Sequence, residues 1–90
     1  MKYQVLLHPK AARALQKLDR QITTEIKKKF GKLRDNPHLG KPLKHSNFSS
    51  LRIGDYRAIY EISPKEGRVI VLYISHRKNV YEDFTKMFWV

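Results

Sequence analysis

Residues 51–76 read LRIGDYRAIYEISPKEGRVIVLYISH, and this stretch decides the fold. Leu51 to Ile53 and Tyr56 to Ile62 form two strands about a turn at Gly54-Asp55. Along the second strand Tyr56, Ala58, Tyr60 and Ile62 share one face, while Arg57, Ile59 and Glu61 share the other. Pro64 to Gly67 makes the next turn. Arg68 to Ser75 then carries VIVLYI, apolar on both faces, which predicts a central strand.

The chain before this block is helical in pattern. Lys2 to Leu7 reads as a short strand. Pro9 suits the first position of a helix, where its missing N–H is harmless. Ala11, Ala14, Leu15 and Leu18 recur at helical spacing. Asp19 is positioned to cap a second helix, whose apolar face is Ile22, Ile26, Phe30 and Leu33 and which Asn36-Pro37 stops. Two prolines, a glycine, Asn47 and three serines mark residues 37–50 as a loop. After the strands, Val80, Phe84, Met87 and Phe88 recur at the spacing of a short terminal helix. The expected order is β-α-α-β-β-β-α: an α+β fold, with two N-terminal helices and a short C-terminal helix packed on a small antiparallel sheet.

Composition narrows the function. The 90 residues carry 19 Lys+Arg against 8 Asp+Glu, a formal charge of +11. This length predicts one domain over residues 1–90 with a single modest core. Hydrophobic residues, at 41%, are too many for a disordered polycation. The absence of cysteine excludes disulfides, thiolate metal sites and a Cys nucleophile. Four scattered histidines give no metal-ligand spacing, so neither a metal nor a cofactor is expected. No apolar run approaches the ~18 residues of a membrane span, which predicts a cytoplasmic protein without a membrane partner. The charge points instead to a polyanion. Residues 1–45 hold 12 Lys+Arg and 3 Asp+Glu, and residues 46–90 hold 7 and 5, so the surplus lies in the first half. Lys27, Lys28 and Lys32 on the second helix, with Lys78 beyond the last strand, are candidate RNA-binding cations.

Three segments together carry a resemblance: YQVLLHPKAARALQKL at the start, LRIGDYRAIYEI at 51–62 and YISHRKNVYEDF at 73–84. The chain resembles the RelE/ParE toxin superfamily of type II toxin–antitoxin systems, on the RelE-like branch, over nearly its whole length. The resemblance implies a compact toxin neutralised by a cognate RelB-like antitoxin in a hetero-oligomer. RelE-like members are ribosome-dependent endoribonucleases that cut A-site mRNA, so ribosome and message are implied partners. ParE-like members are non-enzymatic inhibitors of DNA gyrase, the alternative reading.

RNA cleavage of the RelE kind needs no metal. A ribose 2′-OH attacks its own adjacent phosphate, leaving a 2′,3′-cyclic phosphate and a 5′-OH. Cations must stabilise charge on the phosphate oxygens, and groups must move protons at both ends. The resemblance assigns these roles to Arg52, Arg57, His76, Arg77 and Tyr81. Arg57 matches the family arginine that contacts the scissile phosphate, and a guanidinium suits that role. Arg52 matches a second basic position. His76 and Arg77 belong to the catalytic edge as general acid or phosphate clamp, and Tyr81 matches a C-terminal tyrosine that acts as base or stacks on a base. Many RelE-like enzymes carry another basic residue two positions before Arg52; here that residue is Ser50.

Overall fold

The computed structural model describes residues 2–43, 47–76, 78 and 84. The first strand, β1, spans Gln4–Leu7. Helix α1 spans Pro9–Gln16, with Pro9 in its first turn and the His8 ring Nδ1 accepting from the Lys10 backbone N–H at 3.1 Å. A histidine thus does the capping usually done by Ser or Asp. Helix α2 spans Arg20–Asp35. Asp19 occupies its N-cap position but makes no side-chain cap bond; only its backbone carbonyl accepts, from Thr23 N–H at 2.9 Å. The helix stops at Asn36, before Pro37, as expected.

The remaining elements are β2 (Lys41–Pro42), β3 (Phe48–Ile53), β4 (Tyr56–Ser63) and β5 (Arg68–His76). The stretch expected as loop therefore contains a two-residue edge strand and the first half of β3. Serines are weak strand formers, but Ser49 and Ser50 are buried and paired with Tyr60 and Ile59, so tertiary pairing overrides local preference. Of the expected terminal helix, Phe84 alone is a described residue; Val80, Met87 and Phe88 lie outside.

Strand order is β1-β5-β4-β3-β2. The sheet is antiparallel from β2 through β5, whereas β1 adds parallel to β5, pairing Gln4 with Arg68. The two-helix connection between β1 and the meander supplies the crossover that a parallel neighbour needs. β5 is interior, as its two apolar faces predict. Gly54, at φ 60°, makes the turn that sets Ile53 opposite Tyr56.

One face of the sheet packs under the helices. Ala11, Leu15, Ile26, Phe30 and Leu33 meet Leu51, Ala58, Tyr60, Val69, Val71 and Ile74 there. The other face carries a smaller cluster in which Phe84 covers Ile59 and lies edge-on to Phe48, ring centroids 5.1 Å apart.

A β-bulge in β5 sets the faces of everything beyond it. Tyr60 pairs with Val71 but Ile59 pairs with Tyr73, so Leu72 is the extra residue. Past this point Ala58 pairs with Ile74, Arg57 with Ser75 and Tyr56 with His76. Without the bulge Ile74 would leave the core and lie beside Arg57.

Candidate functional site: a basic groove at the sheet edge

The turn at Gly54-Asp55 is short enough to put Arg52 directly across from Arg57. Direct cross-strand partners lie side by side on one face, and two like charges so placed oppose folding. Arg52 is exposed and donates from Nε to the Gly54 carbonyl at 3.2 Å. Arg57 is half-buried and reaches the Ser50 hydroxyl at a long 3.4 Å. Among the described residues the sole salt bridge joins Arg68 to Glu66, away from this pair. The arginine pair therefore has no neutralising carboxylate among those residues, a local charge conflict of the kind found at functional sites.

The groove beside the pair has a volume of about 310 Å³ and is lined by Lys29, Leu39, Gly40, Lys41, Ser50, Leu51, Arg52 and Arg57. Four of these are cations and none is acidic. Lys41 is the residue that sequence reasoning missed; Lys29 belongs to the α2 lysine run 27–29, which the sequence already offered to RNA. Lys41 has a definite place: it is the β2 partner of Ser50, on the face that also carries Arg52 and Arg57. A lysine from the edge strand thus stands beside the position where a basic residue is absent from β3. In the sequence it lies inside the turn-rich stretch 37–50, read as a loop.

The wall of the groove is held by Tyr60, which is fully buried. Its hydroxyl donates to the Pro37 carbonyl at 2.9 Å and accepts from the Gly40 N–H at 2.9 Å. Burial pushes this phenol above its ordinary value of 10.0, outweighing the opposite pull of the Gly40 and Ser49 hydrogen bonds. Gly40 fits tightly: a Cβ there would stand 2.6 Å from both the Ser50 carbonyl oxygen and the Tyr60 hydroxyl.

The other expected site residues divide. His76 is half-buried and pairs with Tyr56, whose ring it meets edge-on at 5.7 Å, so it lies on the sheet face opposite Arg57. Its Nδ1 accepts from the Lys78 N–H at 3.3 Å. Unbroken alternation along β5 would have put His76 on the Arg57 face; the bulge at Leu72 moves it. Arg77 and Tyr81 lie outside the described residues. Lys28 and Lys32 line a groove of about 240 Å³ beside Ile53 and Gly54, whereas Lys27 lines a separate one of about 370 Å³ with Val5, Leu7 and Arg34. The α2 lysines thus face two directions. Lys78 is exposed. Among the described residues no group of three His, Cys, Asp or Glu could hold a metal ion, and no helix is long and apolar enough to cross a membrane.

Comparison with known proteins agrees with this architecture. The model of the family described as ParE toxin of type II toxin-antitoxin system, parDE, matches residues 5–81. Toxin RelE of Mycobacterium tuberculosis is 40% identical over 83 residues, covering 88% of this chain and 86% of that protein. Toxin RelG of the same organism is 34% identical over 85 residues, covering 90% of this chain and 98% of that protein. Among solved structures, a chain of the toxin–antitoxin complex RelBE2 from M. tuberculosis superposes with a TM-score of 0.79 at 33% identity, covering 86% of this chain and 93% of that one. A mutant of Escherichia coli toxin RelE in the free state shares the fold, with a TM-score of 0.80 at 21% identity over 98% of this chain and 99% of its own. With its two helices on a five-stranded mixed sheet, the chain belongs to the RelE/ParE family of type II toxin–antitoxin toxins.

Proposed function

We propose that this toxin is a ribosome-dependent mRNA endoribonuclease that cuts A-site message by attack of a ribose 2′-OH on the adjacent phosphate. One observation carries the reading: Arg52 and Arg57 are direct cross-strand partners, have no carboxylate among the described residues, and share a groove with Lys29 and Lys41. Such a site is costly to build and suits a phosphate whose charge grows in the transition state. Arg57 grips the scissile phosphate and Arg52 takes the developing charge. Lys41 does the work of the basic side chain absent at Ser50.

In the reaction the 2′-oxygen bonds to phosphorus while the bond to the 5′-oxygen breaks. The 2′-OH proton goes to a base, and solvent water delivers a second proton to the 5′-oxygen. Tyr81 is assigned to the base, a role for which neighbouring cations must favour its phenolate. Arg77 follows β5 and is assigned to the phosphate with Arg57. His76, across the sheet from Arg57, is assigned to flanking RNA rather than to the proton. Lys27, Lys28, Lys32 and Lys78 are assigned to backbone contacts with RNA, and the two directions of the α2 lysines suit a folded RNA surface such as the ribosome. No cofactor has a role in this scheme.

A RelB-like antitoxin is the proposed partner. The relatives of known structure include RelBE2 of M. tuberculosis and an archaeal RelE-RelB complex from Pyrococcus horikoshii OT3. A charge of +11 suits an acidic partner that covers the groove. The second reading, gyrase inhibition, is favoured by the match of residues 5–81 to a family named for ParE.

The deciding experiment maps message 5′ ends after adding purified protein to programmed ribosomes. Codon-phased cuts on ribosome-bound message, absent from naked RNA and lost in Arg57→Ala, are expected. Intact message combined with induction of the DNA-damage response would replace this reading with gyrase inhibition.

A further inference from the structure

We infer that the helix side of the sheet carries a second RNA subsite, which takes nucleotides flanking the cut. The inference rests on the nuclease reading and extends its substrate track. A groove of about 580 Å³ lies between α1 and the ends of β4 and β5, lined among others by Lys10, Arg13, Lys17, Tyr56, Ile74 and His76. It is roomier than the arginine groove, and none of its described lining residues is acidic. Lys10 and Arg13, at i and i+3, share one face of α1, and Lys17 at i+7, its C-cap, continues that line over about 10 Å of axis. Arg13 and Lys17 are exposed.

Two features select a nucleic-acid strand over an acidic peptide. Aromatic rings stand at the same groove: Tyr56, half-buried, and His76, edge-on at 5.7 Å with an interplanar angle of 73°. Cations that track a backbone beside rings that accept bases are the two components of single-strand binding. The second feature is continuity. Tyr56 precedes Arg57, and His76 follows Ser75, the partner of Arg57. Adjacent Cα atoms are about 3.8 Å apart, and side chains alternate between faces. The ends of β4 and β5 therefore form a narrow ridge with phosphate-binding cations on one side and the aromatic, cationic groove on the other. A strand that crosses the ridge leaves its scissile phosphate with Arg57 and lays its next nucleotides along α1.

The test uses the full chain and a labelled oligouridylate, read by fluorescence anisotropy over a salt series. The double variant Arg13→Ala/Lys17→Ala should weaken binding about tenfold and reduce the slope of log K against log salt by about 1.4, two single-strand phosphate contacts. Tyr56→Leu should cost about fivefold or more in RNA affinity and leave the binding of poly-glutamate unchanged. An unaltered affinity and slope in the double variant overturns the subsite. Equal loss of RNA and poly-glutamate binding in Tyr56→Leu, or a stronger hold on poly-glutamate than on RNA, overturns it in favour of an acidic protein partner. The ribosome assay separates the two levels. If wild-type protein cuts no message yet oligouridylate binding depends on Arg13 and Lys17, the nuclease reading fails and the subsite stands. If cutting proceeds and binding ignores both residues, the subsite fails and the nuclease reading stands.

Discussion

At the scale of the residue, Arg57 and Lys41 are the sharpest tests of the arginine groove. Arg57→Ala should reduce ribosome-dependent cutting by about two to three orders of magnitude, the usual cost of losing a donor aimed at developing charge. Its unfolding midpoint should not fall, since removing one of two facing guanidiniums relieves repulsion. Lys41→Ala should lower the cutting rate by a smaller factor, and Ser50→Lys introduced beside it should restore part of the loss; both are read as single-turnover rates on programmed ribosomes. Arg52 and Arg57 face each other because the turn the sequence marks at Gly54-Asp55 sets their register within six residues of chain; their role came from the family resemblance. Lys41 was not, because its neighbour Ser50 is brought to it by strand pairing that local composition argues against. The face on which His76 stands was not legible. A bulge at Leu72 is invisible in a run of apolar side chains, yet it reverses the side on which every later residue of β5 stands.

Single elements show how the groove keeps its shape. Tyr60→Phe removes a hydroxyl that both donates and accepts in the core, leaving the Pro37 carbonyl and the Gly40 N–H without that partner. It should cost about 1–3 kcal/mol in urea unfolding. The same variant has a pH signature. Burial raises the Tyr60 pKa in the folded state above 10.0, so the unfolded phenol loses its proton first as pH climbs. Wild-type stability from this group is constant below pH 10.0 and falls as pH rises through the folded value. The difference between wild type and Tyr60→Phe should therefore shrink above that pH, measured as paired denaturation curves. Gly40→Ala sets a methyl against the Ser50 carbonyl and the Tyr60 hydroxyl and should destabilise by about 1–3 kcal/mol, with the groove widened. Phe84, at 3% exposure, packs on the far face against Ile59 and Phe48. Its truncation to Ala should cost about 3 kcal/mol, read in the same way. The two N-terminal helices and most of the meander were legible from periodicity and turn residues; the parallel docking of β1 was not, since a four-residue strand carries no mark of its partner's direction.

The whole molecule is an unbalanced charge on a small, well-packed frame. Nineteen basic residues face eight acidic ones, and among the described residues a single exposed ion pair forms. Self-repulsion on this scale should make the free toxin more stable in moderate salt than in very low salt, seen as a rising thermal midpoint. Association with an acidic partner should show the opposite trend, its on-rate falling as salt increases. The union of β1 with β5 has a further meaning during synthesis. Gln4 waits for Arg68, so the sheet has no closed border until most of the chain has been made. Contacts this distant in sequence form late and slowly. The full sheet is thereby withheld until most of the toxin chain has been made, and the delay gives a waiting antitoxin time to meet it before it closes.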